Sequence, residues 1–232
     1  MQALVNSMSD NADLPVSQLL SKIDDKLLAK SYDSDVTKSN NPLVALSQNA
    51  LERPDDIAVR SDEGTLSFKQ LEEQSNKIAN SLSSKKVVGL CIPPSLESIA
   101  HRIGLFKSGK TYLAIGENLP ANRKRLIARS LNADIVYTTK KFAEDFKLLG
   151  SDKVVIVDSE GYISELTKAS SERPTLQETE SAAITFANGQ LDTHDYTVWS
   201  STQLFENISV FAEHLKTSSS TSTFLNWLPG SK

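Results

Sequence analysis

The apolar positions in the middle of the chain follow two alternating patterns. Continuous apolar runs that are rich in β-branched residues lie at residues 87–92, 135–137 and 154–157, and such runs are typical of strands that are buried on both faces. Between them, apolar residues recur every three or four positions, which is the period of a helix with one buried face. The sequence therefore predicts an α/β fold in which a parallel-rich sheet is covered by helices on both faces.

The same patterns predict the remaining elements. Helices are expected over residues 42–51, 71–82, 96–107, 120–131, 142–149 and 204–215, and further strands over residues 57–60, 65–68, 111–115, 182–186 and 224–228. Residues 1–41 are more polar, with one short amphipathic helix expected at residues 19–28, followed by a linker. We therefore expect one domain over residues 42–232, preceded by an N-terminal segment over residues 1–41.

The segment from Gly104 to Thr111 reads GLFKSGKT and matches the P-loop pattern G-x-x-x-x-G-K-[ST], which is a phosphate-binding motif. A P-loop follows a strand and opens a helix, so that backbone N–H groups at the helix N-terminus face the phosphates. Here the order is reversed, because the predicted helix runs into the glycines and the predicted strand follows them. We therefore expect Gly109 to end a helix. A P-loop that binds nucleotide through Lys110 and Thr111 is the alternative.

Composition argues against several classes of function. The formal net charge of −4 disfavours a nucleic-acid partner, and the chain shows neither a signal-peptide pattern nor an apolar window long enough to span a membrane. We therefore expect a cytoplasmic protein with no membrane or nucleic-acid partner. The single cysteine, Cys91, excludes an internal disulfide and lies in an apolar run, where a buried thiol is expected.

The titratable residues show no pattern of a catalytic or metal site. The histidines are His101, His194 and His214, and their spacing forms no recognisable ligand cluster. No catalytic residue and no metal ligand is therefore predicted. The helix after Pro120 carries a group of basic residues, which we expect to form a solvated outer face. They are Arg123, Lys124, Arg125 and Arg129.

Several short stretches between residues 42 and 140 resemble, in the right order, the opening motifs of the adenylate-forming enzymes. The resemblance is in particular to the adenylation domains of nonribosomal peptide synthetases, and it implies the first half of the large N-terminal subdomain of that family. The matching positions are Leu66, Ser67, Phe68, Leu71, Asn76 and Ala79 in the first motif; Val88, Gly89, Leu90, Ser95 and Glu97 in the second; Phe106, Lys107, Gly109 and Tyr112 in the third; Pro120 and Arg123 in the fourth; and Ala133 to Val136 in the fifth.

The resemblance weakens at the loop that wraps the ATP phosphates in this family, where [YF]-[TS]-S-G-[ST]-T-G-x-P-K-G is expected. The counterpart here runs from Phe186 to Tyr196 and reads FANGQLDTHDY. Asp192 stands in place of a glycine and Asp195 in place of the lysine, and a carboxylate repels phosphate where the lysine would attract it. The resemblance leaves only a degenerate remnant of the nucleotide-binding loop, which consists of Asn188, Gly189 and Gln190.

The resemblance therefore implies a truncated, inactive adenylation-like domain with no cofactor, in a structural or module-linking role within a nonribosomal peptide synthetase of secondary metabolism. Its partners would be neighbouring condensation or carrier domains, or the rest of the adenylation domain. One alternative is a fragment of an active ligase that adenylates an amino acid or acyl group with ATP and Mg, completed by missing C-terminal sequence. The other is the small P-loop nucleotide-binding protein.

Overall fold

Two sheets organise the fold. The structure, a computed structural model, describes residues 41–82, 86–176, 179, 181–186 and 196–215. Its strands are β1 Ile57–Ser61, β2 Gly64–Ser67, β3 Val87–Cys91, β4 Thr111–Ala114, β5 Ile135–Thr138, β6 Val154–Ile156, β7 Ala183–Phe186 and β8 Tyr196–Trp199. Strands β1 and β2 form an antiparallel hairpin, and the others form a sheet in the order β6-β5-β3-β4-β7-β8. Neighbouring strands of this sheet are parallel except for β7 and β8.

Helices connect the parallel strands, because a parallel pair needs a crossover connection. The α-helices are α1 Pro42–Glu52, α2 Phe68–Ser81, α3 Leu96–Lys107, α4 Ala121–Ser130, α5 Lys140–Ala143, α6 Glu160–Lys168 and α7 Ser201–Leu215. Two 3₁₀-helices, Glu144–Leu149 and Ser151–Lys153, follow α5.

The sheet is buried on both faces by two separate cores. Helices α2, α3 and α6 supply Ile78, Leu105 and Tyr162 to the first core, which also contains Val88 and Leu90 of β3. The second core combines Ile127 of α4 and Phe146 of the following 3₁₀-helix with Cys91, Leu113 and Val136 of the strands. Successive residues of β3 therefore face opposite cores, as strand geometry requires. The predicted α/β fold with helices on both faces is confirmed.

Side-chain caps explain where the helices of the first core begin. Ser67 accepts the N–H of Gln70 at 3.3 Å, and the Gln70 side chain accepts the N–H of Ser67 at 2.9 Å. Ser95 and Ser98 exchange the corresponding pair of bonds at 3.1 and 3.0 Å. Each pair is a capping box, which satisfies two N–H groups that a helix leaves free at its first turn. Ser67 and Ser95 belong to the motifs that carry the family resemblance, and their role in this structure is to cap helices.

The predicted helix over residues 142–149 is only partly right, because most of this segment is 3₁₀-helix. Side chains of α4 compete for its carbonyl groups: Arg125 donates to the carbonyl of Asp145, and Arg129 donates to that of Leu148, each at 2.8 Å. Those carbonyls are thereby drawn toward α4. The sequence patterns predict neither helix α6 nor strand β8. The helix that they predict over residues 120–131 is α4, which begins one residue later, after Pro120.

Some expectations lie outside the described residues. These are the short helix at residues 19–28 and the strand at residues 224–228, and the domain boundary at residue 41 stays a prediction for the same reason. None of the helices in the described part of the chain combines the length and apolar character that crossing a membrane requires.

Candidate nucleotide-binding site

The P-loop-like segment closes helix α3. The N–H of Gly109 donates to the carbonyl of Phe106 at 3.3 Å. The N–H of Lys110 donates to the carbonyl of Leu105, also at 3.3 Å. These two bonds form a Schellman motif, which needs a residue with positive φ just after the helix, and Gly109 has a φ of 66°. The prediction that Gly109 ends a helix is confirmed.

The first and last residues of the motif also have structural roles. A Cβ on Gly104 would lie 2.7 Å from Cγ2 of Ile78, so the glycine lets α3 approach α2 closely. Thr111 donates its hydroxyl to the carbonyl of Ser181 at 2.7 Å and its N–H to the carbonyl of Lys86 at 2.8 Å. A phosphate here would meet the negative end of the α3 dipole and N–H groups that are already bonded. The P-loop alternative is contradicted by this geometry.

The two strands that flank the phosphate-loop counterpart are paired as a hairpin base. Phe186, the last residue of β7, lies opposite Tyr196, the first residue of β8, in antiparallel register. Their rings meet edge to face with centroids 6.2 Å apart. Residues 187–195 lie outside the described residues, so the remnant of Asn188, Gly189 and Gln190 stays a prediction.

The sequence of this segment departs from the pattern of phosphate-binding loops at two positions. Phosphate-binding loops present N–H groups and cations to the ligand. The sequence between β7 and β8 instead supplies Asp192 where a glycine would let the backbone approach, and Asp195 where a cation would neutralise phosphate. Within the described residues, no group of three or more His, Cys, Asp and Glu side chains is arranged to hold a metal ion.

Lys107, a position of the third family motif, joins α3 to α2. The side chain is fully buried. Its Nζ donates to three acceptors on α2, which are Oε2 of Glu72 at 2.6 Å, Oγ of Ser75 at 2.9 Å and Oδ1 of Asn76 at 2.8 Å. Burial lowers the pKa of Lys107, and the Glu72 carboxylate opposes that shift. Helical spacing carried a signal, because Lys107 follows the buried Ala100 by seven residues and so shares its face.

Lys124 corrects the expectation that the basic residues of α4 form a solvated face. It is only 1% exposed. Its Nζ donates to Oδ2 of Asp145 at 2.6 Å and lies 4.3 Å from the centre of the Phe142 ring. The sequence contained the signal here too, because Lys124 precedes the buried Ile127 by three residues and therefore lies on the inner face of the helix.

Cys91 is a buried, free thiol, as expected. Burial raises its pKa to about 11, an effect that the charge of Lys124 partly opposes. A thiol with so high a pKa is almost entirely protonated at neutral pH and is therefore a poor nucleophile.

His101 joins two elements of the first core as a neutral side chain. Its Nδ1 lies 2.7 Å from the carbonyl of Glu97, and its Nε2 lies 2.8 Å from the hydroxyl of Tyr162. A carbonyl can only accept, so Nδ1 carries the hydrogen and Nε2 accepts from Tyr162. Burial lowers the pKa of His101 to about 4, and the hydrogen bond to Glu97 opposes that shift.

Replacing His101 by glutamine is expected to remove part of the pH dependence of stability. Below pH 6.5 the unfolded chain protonates His101, whereas in the folded chain its pKa is about 4, so the unfolded state binds more protons between these values. Lowering the pH from about 7.5 to about 5 should therefore reduce the free energy of unfolding of the parent chain by about 2 kcal/mol more than that of the variant. Urea unfolding at both pH values measures this difference, and equal losses would contradict it.

Comparison with known proteins identifies the family. The chain matches the model of the AMP-binding enzyme family over residues 46–205. The nonribosomal peptide synthetase fso1 of Omphalotus olearius is 31% identical to it in an alignment that covers 99% of this chain and 5% of that protein. The nonribosomal peptide synthetase easA of Emericella nidulans is 32% identical over 51% of this chain and 2% of that protein. The chain thus spans a small part of the length of these relatives.

Solved structures share the fold. VinN superposes with a TM-score of 0.66 at 13% identity, over 75% of this chain and 46% of VinN. At these identities the likeness concerns the fold alone. Together with the family match over residues 46–205, the parallel sheet and its two layers of helices show that the chain belongs to the AMP-binding enzyme family, as an adenylation-like domain related to nonribosomal peptide synthetases.

Proposed function

We propose that this adenylation-like domain does not bind ATP or form an adenylate, and that it serves a structural, module-linking role in a nonribosomal peptide synthetase. Its neighbours would be condensation or carrier domains, and its place in the cell the cytoplasm. The relatives fso1 and easA, both synthetases many times longer than this chain, support the proposed setting.

The observation that carries the proposal is the loop sequence between β7 and β8. The hairpin base is formed, with Phe186 opposite Tyr196, so the chain has the framework on which a phosphate loop would stand. The loop itself replaces a glycine by Asp192 and the cation by Asp195. Two carboxylates beside a polyphosphate oppose its binding, because both partners are anions. A domain of this family that keeps the framework and reverses the charge is poorly suited to nucleotide chemistry.

Calorimetric titration of the 232-residue chain with Mg-ATP is expected to show no binding. A variant that combines Asp192→Gly with Asp195→Lys restores the family's glycine and lysine at these positions, and it should gain ATP affinity by about tenfold or more through the added charge-assisted hydrogen bond. Both proteins should melt at similar temperatures, because the changes lie in the loop between two strands that stay paired. ATP binding by the parent chain would contradict the proposal.

A second candidate is favoured by the intact hairpin base: an active ligase that adenylates an amino acid or acyl group with ATP and Mg, completed by further sequence. A matched Lys110→Ala variant separates this candidate from the P-loop protein. Binding that Lys110→Ala leaves unchanged would support the ligase, since Lys110 lies at the end of α3. Binding that Lys110→Ala abolishes would mean that the segment ending α3 does hold phosphate, against the geometry described above.

A further inference from the structure

We propose that Lys107 is a positioning residue for the connection between α6 and β7, and that it acts through the side-chain amide of Asn76. Lys107 donates its three hydrogen bonds to side chains of α2, and its only described interaction with that connection is the charge repulsion from Arg173, which cannot hold the connection in place. Its effect passes through one side chain that is held on both sides: by the lysine in the interior, and by a backbone carbonyl of the connection. The inference goes beyond the proposed function and holds whether or not the chain binds a nucleotide.

The orientation of the Asn76 amide follows from the chemistry of Lys107. An ammonium group has three N–H donors and no acceptor, so it can face only the oxygen of an amide. Nζ of Lys107 lies 2.8 Å from Oδ1 of Asn76, and its other two donors are taken by Glu72 and Ser75. With its oxygen held by Lys107, the Asn76 amide nitrogen faces the carbonyl of Ser171, to which Nδ2 donates at 3.0 Å, and it also donates to Oε1 of Glu72 at 3.5 Å.

A second asparagine completes the contact one helical turn later. Nδ2 of Asn80 donates to the carbonyl of Ser170 at 2.8 Å and to that of Glu172 at 2.9 Å. Residues four apart on a helix lie on the same side, so Asn76 and Asn80 form one surface, which we call the amide clamp. The clamp binds the carbonyls of three successive residues, 170–172. We call these three residues the strap.

The strap belongs to the connection that leads from α6 to the hairpin of β7 and β8. It begins two residues after the end of α6 at Lys168, and the chain then continues to β7. The far end of this connection is also held, because Thr111 donates to the carbonyl of Ser181 at 2.7 Å and Tyr112 donates its N–H to that of Ala182 at 2.8 Å. The clamp and strand β4 therefore fix the connection at its two ends, and Lys107 sets the orientation of half of the clamp.

Hydrogen–deuterium exchange of the full chain tests the direct contact first. Asn80→Ala removes two bonds to the strap and leaves the buried network untouched. The N–H groups of Ala169 and Glu172 are bonded to Glu165 and to Oγ of Ser170 while the strap is in place. Loss of clamp bonds favours local opening of this segment, so peptides that cover residues 169–176 should then exchange about fivefold faster or more. Asn76→Asp should have a similar effect, because a carboxylate still accepts from Lys107 but no longer donates to Ser171. Unchanged exchange in both variants would overturn the clamp.

The indirect role of Lys107 needs a control for loss of core stability. Lys107→Met should accelerate exchange of residues 169–176, whereas Lys124→Met, the same change at the other buried lysine, should not. All proteins are measured at one temperature and pH, and exchange of the strap is compared with that of strand β3 in the same protein, so that local opening is separated from a loss of global stability. Equal exchange of the strap in the two variants would overturn the proposal.

Non-additivity gives an independent measurement. If Lys107 acts on the strap through Asn76, Lys107→Met should add no further exchange at residues 169–176 in a chain that already carries Asn76→Leu. The double variant should nevertheless melt at a lower temperature than Asn76→Leu, because the Glu72 carboxylate loses its partner. Further acceleration of strap exchange in the double variant would show that the lysine acts by another route, and would contradict the proposal.

Discussion

Replacing Glu72 by alanine is expected to lower the free energy of unfolding by about 4 kcal/mol, because it leaves a buried ammonium without its counter-charge. Lys107 is fully buried, and its Nζ lies 2.6 Å from Oε2 of Glu72. The other oxygen of Glu72 accepts from the hydroxyl of Ser47 at 2.8 Å, so the change also removes a bond between α1 and α2. Chemical denaturation at neutral pH measures the loss.

Glu144→Ala is the matched control for this prediction. Glu144 also pairs with a lysine, Lys147, at 3.2 Å, but both side chains are largely exposed, at 80% and 72%. An exposed ion pair is screened by water, so its removal should cost less than about 0.5 kcal/mol. Similar losses in Glu72→Ala and Glu144→Ala would show that burial does not set the importance of the ion pair at Lys107.

The pH dependence of Glu72→Ala provides a second check. Burial already lowers the pKa of Lys107 in the parent chain, and the Glu72 carboxylate opposes that shift. Without the carboxylate the folded-state pKa should fall further below the value of a free lysine. The unfolded chain then binds more protons than the folded chain at alkaline pH, so the variant should regain stability as the pH rises. A constant difference from the parent chain across this range would argue against an unpaired buried charge.

Replacing Gly104 by alanine is expected to lower the free energy of unfolding by about 3 kcal/mol through overpacking between α2 and α3. The added Cβ would lie 2.7 and 2.8 Å from Cγ2 and Cβ of Ile78, and 2.9 Å from the carbonyl oxygen of Ser75. Part of this obstacle is backbone, which cannot rotate aside, so the two helices must separate. The higher helix propensity of alanine offsets only about 1 kcal/mol of the loss.

Gly161→Ala serves as the control, since Gly161 also lies in a helix and a Cβ there would meet no atom within 4 Å. This variant should be as stable as the parent chain or up to about 1 kcal/mol more stable, because alanine favours the helix and restricts the unfolded chain. Thermal and denaturant unfolding compare the two variants directly. A loss at Gly161 equal to that at Gly104 would mean that helix packing is not the cause.

Much of the fold could be predicted from local sequence, because local geometry determines which residues of an element can be buried together. The apolar run of β3 and the helix-ending Gly109 each act over a few residues, and both predictions are confirmed. Strand β8 could not be predicted in this way. Its burial pattern has three exposed positions out of four, so pairing with β7 defines it, and apolar periodicity does not.

For the candidate site, too, the sequence predicted the local features but not the long-range contacts. The sequence by itself determined that the segment from Gly104 to Thr111 spans the end of a helix and the start of a strand. It also showed that the stretch after Phe186 carries Asp195 where the family has a lysine and Asp192 where it has a glycine. Only the tertiary structure decided what the lysines do. Lys107 and Lys124 are cations on the inner faces of helices, and whether such a charge is tolerated depends on a partner far away in sequence. Glu72 lies 35 residues from Lys107 and Asp145 lies 21 residues from Lys124, so the pairing of these charges arises only when the helices pack.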